Sequence, residues 1–306
     1  LELAASEAAG RKNNLLPWFF ALVSLSGLAL VLYFGRDIYA GEMAYRRGLN
    51  AVLANDGIRA YNSMIEAINK NPRFDGYRIS YSQINLALAN NIAAKKDLTD
   101  QERQTVSQLI QQAIAQAKSG VSLNQKRSEN WGNLARIYQS LIPAAQGADQ
   151  FAIATYQQAI ALDPVNPELR IALGGVFYGL GRYEDAARVF ELAVAAKPNH
   201  ANAHYNLASA LREKKDTGRA VGEMEQVLQL VDVTSQDYKT AQAELDKLRG
   251  KLKEEQEATR AAQPETLKGP SAPTGPEIEP PIALPAESAP PSTESAEPTP
   301  IPAPGQ

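Results

Sequence analysis

Two histidines, His200 and His204, stand four residues apart, a spacing that puts two imidazoles on one helical face, within reach of one metal ion. No third ligand is indicated. Packing or surface roles account for the pair, so no metal ligand, cofactor-binding residue or catalytic residue is assigned and no cofactor is expected. The pairs Glu184-Asp185 and Lys214-Lys215 read as solvated charges at helix ends. No Gly-rich phosphate loop, nucleophile elbow or metalloprotease motif occurs, and the chain reads as a non-enzyme. The absence of cysteine excludes disulfides and thiolate metal sites and is compatible with either side of a membrane. A net charge of −3, with no dense basic patch interleaved with aromatics, argues against nucleic acid as a partner.

The elements that would position any functional side chain are repeats. Leu173, Gly174, Ala186, Phe190, Ala193 and Pro198 carried forward by 34 residues land on Leu207, Ala208, Ala220, Met224, Val227 and Asp232. Apolar meets apolar at every step but the last. Carried back, Pro198 lands on Pro164, in a block that holds Ala152, Tyr156 and Ala159 at the same offsets. A unit of this length with two apolar helical faces cannot bury both alone and must stack on its neighbours, which favours a binding surface over a catalytic pocket.

One unit can be read in detail. Asn166 is a candidate N-cap and Pro167 suits a first helical turn, after which Leu169, Leu173, Val176 and Phe177 recur at helical spacing. Leu180-Gly181 closes this helix. A second carries Ala186, Val189, Phe190, Ala193 and Val194, and Lys197-Pro198 stops it because proline removes a donor and restricts the residue ahead. Thr99 with Glu102 reads as a capping box opening another helix through Val106, Leu109, Ile110, Ala113 and Ala117.

At these residues the chain resembles the tetratricopeptide repeat family. Its pattern of Trp, Leu-Gly, aromatic, Ala, aromatic, Ala and Pro is matched by Trp131, Leu134-Ala135, Tyr138, Ala152, Tyr156, Ala159 and Pro164. A second copy holds Leu173-Gly174, Phe177, Ala186, Phe190, Ala193 and Pro198. The first copy is lengthened around Ala144 to Ala148, and the third has Leu211 for its first aromatic and Asp232 for its proline. A fainter copy falls on Gly48, Ala60, Met64, Ala67 and Pro72, and the pattern is degenerate from there to Trp131. The resemblance implies an all-α fold, a right-handed α-solenoid of helical hairpins. It also implies a concave groove lined by the first helix of each repeat, where Arg136, Gln139, Tyr178, Tyr205, Ser209 and Arg212 would face a protein or peptide partner. The alternative for the tyrosines is packing between helices.

Leu15 to Phe34 carries no charge and is bounded by Arg11-Lys12 and Arg36-Asp37. About 20 helical residues cross a hydrocarbon core of roughly 30 Å, so the run reads as one membrane-spanning helix in contact with lipid. Trp18 and Tyr33 near its ends suit the interfaces. A signal peptide would need a shorter apolar core and a better cleavage site than Ile38-Tyr39-Ala40-Gly41. The basic residues on its two flanks nearly balance and set no orientation. From Pro264 onward Pro, Ala, Ser, Thr and Glu dominate, the composition of a disordered tail.

The expected organisation is an arm at 1–14, a membrane helix at 15–35 and degenerate hairpins at 41–127. Three repeats at 128–234, a capping helix at 235–256 and a tail at 257–306 complete it. The expected function is a membrane-anchored scaffold that binds proteins, single-pass in this chain, with its oligomeric state open. A looser resemblance rests on the span, on Ala44-Tyr-Arg-Arg-Gly-Leu-Asn50, and on repeats followed by a Pro-rich tail. It is similar to the C-terminal part of bacterial polytopic proteins of the O-antigen ligase or polymerase class. That would make this chain a non-catalytic regulatory or assembly part of a glycan-processing protein, and an upstream sequence with more spans would favour it.

Overall fold

The helix starts and stops foreshadowed by the sequence build the fold. In the computed structural model, which describes residues 15–262, these are α-helices joined by short turns, and no strand occurs among the described residues. They are α1 (Leu15–Leu53), α2 (Gly57–Lys70), α3 (Asp75–Ala93), α4 (Asp100–Leu123), α5 (Ser128–Leu141) and α6 (Ala148–Leu162). Then come α7 (Pro167–Gly179), α8 (Tyr183–Ala196), α9 (Ala201–Glu213), α10 (Thr217–Leu230) and α11 (Gln236–Ala262). The chain divides into two units, 1–258 and 259–306. The arm at 1–14 and the tail from 263 onward lie outside the described residues.

Local chemistry sets the ends. The Asn166 side chain accepts from the Glu168 amide, with Pro167 opening α7. Thr99 and Glu102 form the reciprocal capping box at the start of α4, each side chain taking the other's backbone amide. Gly181 follows α7 at φ +72°, left-handed backbone that a residue with a Cβ adopts only with strain. The insertion of the first full repeat is the turn Ile142–Gly147 between α5 and α6.

Consecutive helices pair into hairpins that stack as an α-solenoid: the second half of α1 with α2, α3 with α4, α5 with α6, α7 with α8, and α9 with α10. From Ala135 to Leu248 one continuous core runs through the last three hairpins into α11. Small residues let the helices close. Gly174 lies directly against the Phe190 ring, and a Cβ there would collide with it. Phe190, Tyr156 and Met224 fill the matching position of α8, α6 and α10, each about 1% exposed.

The first hairpins are held differently. A buried polar network ties α3, α4 and α5 together. Asn130 Nδ2 donates to Asp75 Oδ2 at 2.8 Å and to the Gly120 carbonyl at 3.0 Å, and Asn133 Nδ2 donates to Ser82 Oγ at 2.8 Å. Gln83 Nε2 closes on Asn133 Oδ1 at 2.9 Å, and Arg127 faces both Asp75 oxygens at 3.5 Å. Tyrosines supply much of the remaining area, with Tyr45 against Tyr77 and Tyr61 against Tyr81 at ring separations of 5.0 and 5.1 Å.

The sequence reading ends the membrane helix at residue 35 and starts the hairpins at 41. In the structure one unbroken helix, α1, carries both. The physical reason is local: Arg36 to Ala40 contains no proline or glycine, and its one potential capping residue, Asp37, pairs with Arg36 and Lys70 instead, so nothing stops the helix between its apolar run and its packed half. The exposed side chains of Leu16 to Tyr33 give way to buried Gly41, Ala44, Gly48 and Ala51.

Candidate protein-binding groove

In the last three hairpins the first helices lie side by side, α7 contacting both α5 and α9. The six residues singled out by the family resemblance all lie on them.

Arg136 of α5 is exposed, and its charge acts on Tyr156, whose phenol burial pushes up to about 12 while Arg136 draws it down. Gln139 is committed inward, its Oε1 accepting from the Tyr156 hydroxyl at 2.7 Å. Ser209 donates to the Tyr205 carbonyl of its own helix at 3.0 Å, leaving a small polar patch on α9. Beside Tyr178, Gly175 and Gly179 face open space, so the α7 backbone is bare on this surface.

The structure gathers Tyr178, Tyr205 and Arg212 into one cluster around a residue the sequence reading missed. Glu244 of α11 accepts from the Tyr205 hydroxyl at 2.9 Å and places its second oxygen 3.8 Å from Arg212. Burial works against the Arg212 charge. Hydrogen bonds from the guanidinium to Glu213 and Tyr178 outweigh this and hold it above its ordinary value. Burial, with the bond to Glu244, also raises the Tyr205 phenol. Tyr178 in turn meets Tyr183 edge to face at 5.2 Å. These tyrosines therefore combine packing with a polar edge, and at the α9 end that edge is already engaged by the chain's own last helix. The signal for Glu244 was within reach: carried on by 34, Leu207 and Leu211 become Ala241 and Leu245, which makes α11 the first helix of a further copy.

A cavity of about 460 Å³ remains between α9, α10 and α11, with Asn202, Tyr205, Val231 and Thr240 on its walls. Arg136, Gln139 and the open α7 backbone stand apart from the Glu244 cluster.

The histidines are used structurally. His204 is buried, with Nδ1 at 2.7 Å from Glu223 and Nε2 at 2.8 Å from the Pro198 carbonyl, so both ring nitrogens are occupied by protein acceptors. His200 Nε2 meets Glu168 at 2.7 Å. Among the described residues no group of three or more His, Cys, Asp or Glu side chains is placed to hold a metal.

Comparison with known proteins agrees with this geometry. A family model for the tetratricopeptide repeat matches residues 144–201 and again 171–232. No curated protein matches the sequence. Among solved structures, the chain is similar to PilW, a widely conserved type IV pilus biogenesis factor, at 16% identity. That match covers 69% of this chain and 86% of that one, with a TM-score of 0.51. A thermophilic tetratricopeptide protein of Thermus thermophilus matches at 16% identity over 67% and 98% of the two chains, TM-score 0.49. MamA of Desulfovibrio magneticus matches at 12% over 62% and 94%, TM-score 0.48. With the stacked hairpins, the Gly174–Phe190 closure and the family match in view, residues 144–232 are tetratricopeptide repeats within an α-solenoid.

Proposed function

We propose that the chain is a membrane-anchored scaffold that binds a protein or peptide segment on the inner face of its repeats. The observation that carries the reading is α1, a single helix of 39 residues. Its first part exposes Leu16, Trp18, Phe19, Phe20, Leu22 and Leu25, and its second part is the first helix of the solenoid. In water such an apolar surface would be costly, at roughly 25 cal/mol per Å² of area that a bilayer would cover. A signal sequence also satisfies length and hydropathy. The continuity of α1 into a packed hairpin supports an anchor instead, because cleavage after the apolar run would leave a frayed end against α2.

For the partner, the free part of the inner face is Arg136 with the bare α7 backbone, beside the ring of Tyr178, whose hydroxyl is already paired with Arg212. There an exposed guanidinium, an aromatic ring and a bare helix backbone combine a charged contact with close approach of a bound chain. Two measurements test the reading. In membrane fractionation the full chain should resist alkaline carbonate extraction, and recovery in the aqueous phase would end the anchor reading. In affinity capture from detergent extracts, a partner retained by the native chain should fall about thirtyfold in the Arg136→Ala, Tyr178→Ala double variant, the size of a binding hot spot. Equal retention by both would remove the inner face from the function.

A further inference from the structure

We propose that the turn joining α2 to α3, with Lys70, Arg73 and Phe74, is a docking surface for anionic phospholipid headgroups. The proposal rests on the reading of α1 as a membrane anchor and concerns what the solenoid does at the bilayer surface.

Depth is the first argument. The uncharged run of α1 ends at Phe34, and the α2–α3 turn is fastened to the same helix just beyond it. Lys70 Nζ lies 3.5 Å from Asp37 Oδ1, and Gly41 backs onto Ala67, Lys70 and Asn71 closely enough that its missing Cβ would sit about 3.3–3.5 Å from them. At 1.5 Å per residue, Asp37 and Gly41 stand roughly 5 and 10 Å past the end of the apolar run. A headgroup layer is on the order of 5–8 Å deep on each side of the hydrocarbon core. The turn thus lies at the headgroup layer and its aqueous edge, and with no flexible linker in α1 it cannot swing away.

Charge is the second argument. Arg36 and Lys70 share the single carboxylate of Asp37, at 3.7 and 3.5 Å, so one positive charge is left over. Arg73 is exposed and makes no ion pair among the described residues. Phe74 is 42% exposed, its ring edge on Tyr77. The next turn of the solenoid continues the surface through the contact of Arg127 with Asp75, and adds exposed Lys126. A basic rim with an aromatic tip, held at this depth, matches the phosphate oxygens of a bilayer surface better than a soluble partner that would have to compete with the membrane for the same space.

Because the native chain has no cysteine, a single Pro72→Cys substitution labels the turn alone, and Gln229→Cys on α10 gives a distant control. The full-length protein is reconstituted into phosphatidylcholine vesicles with and without phosphatidylserine. Quenching of a fluorophore at each site by headgroup-labelled lipid is then measured. The expected result is strong quenching at residue 72 and little at 229. Phosphatidylserine should deepen it, and the Lys70→Glu, Arg73→Glu variant should lose the serine-dependent part, about fivefold for each basic residue removed. Protein that floats with the vesicles but shows no quenching at 72, or quenching indifferent to phosphatidylserine, overturns the proposal while leaving the anchor standing. Protein that does not float with either vesicle overturns the anchor reading and the proposal with it. The comparison of the two vesicle types uses native charges, so it holds even if the doubly substituted turn misfolds.

Discussion

The hairpins from α5 to α10 and those from α1 to α4 stack in the same way but are held by different physics. In the later three, helices of 13 to 15 residues repeat one apolar solution, a small residue facing a large one, and one core links them into α11, with a second cluster joining α5 and α6 to α4. In the earlier two, α3 and α4 lengthen to 19 and 24 residues, the apolar core breaks into separate clusters, and buried amides and a carboxylate bridge the gaps. The difference teaches that a solenoid needs a stacking surface but not a particular chemistry for it. Apolar complementarity tolerates any neighbour of the right shape, whereas Asn130 and Asn133 fix one register of α5 against α3, since a shift would strand their partners.

The comparison can be broken at its strongest point first. Phe190→Ala should remove about 3–5 kcal/mol, the cost of a large buried ring plus the cavity left beside Gly174. Urea unfolding followed by helicity should show the loss, with hydrogen exchange accelerating from α7 to α11. A change under about 1 kcal/mol would mean the later hairpins do not depend on this packing.

Next comes the polar counterpart. Asn130→Ala leaves the half-buried Asp75–Arg127 pair without its amide donor and should cost about 2–3 kcal/mol. Hydrogen exchange should localise the damage to α3, α4 and α5. If Asn130→Leu restores stability, shape alone matters there and the contrast between the two regions collapses.

Smaller is the acid response of the α4 cap. Hydrogen bonds from Lys95 and then from Thr99 hold the Glu102 carboxyl down at about 2, from its usual 4.5. Its depressed value means the cap is intact above pH 4.5 and is lost as pH falls toward 2. Amide exchange at the start of α4 should quicken over that window, and Glu102→Gln should abolish the pH dependence. The group caps one helix end at the surface, so global stability should barely move.

The least effect is expected at Asn85. Its Nδ2 serves the Tyr81 carbonyl within α3, but its buried Oδ1 has no partner. Asn85→Leu should be neutral or stabilising by up to about 1 kcal/mol, since it trades an unsatisfied acceptor for apolar contact. A loss beyond that size in urea titration would assign Oδ1 a partner that the apolar clusters do not reveal.

The later hairpins were legible because their information is periodic. Gly174, Ala186, Phe190 and Pro198 announce themselves by recurring, and Asn166, Thr99 and Gly181 act through neighbours only a few residues away. The polar network was not legible, because Asp75 and Asn130 are 55 residues apart and no spacing rule links them. The surroundings of the six proposed groove residues were not legible either. The helices and the six residues were named, but nothing local says that Tyr205 and Arg212 meet Glu244 while Arg136 stays exposed.

The sequence by itself determined where the helices of the later hairpins begin and end, that they pair and stack, and that one apolar stretch has the length of a membrane span. Caps, prolines and apolar periods act over a few residues, and a repeat tells the same story several times. Only the tertiary structure decided that the apolar stretch and the first hairpin are one continuous helix, that a basic turn is fastened just past its end, and that Glu244 of α11 meets Tyr205 and Arg212. The last two depend on side chains brought together from distant parts of the chain, and burial, charge and hydrogen bonding act between neighbours in space.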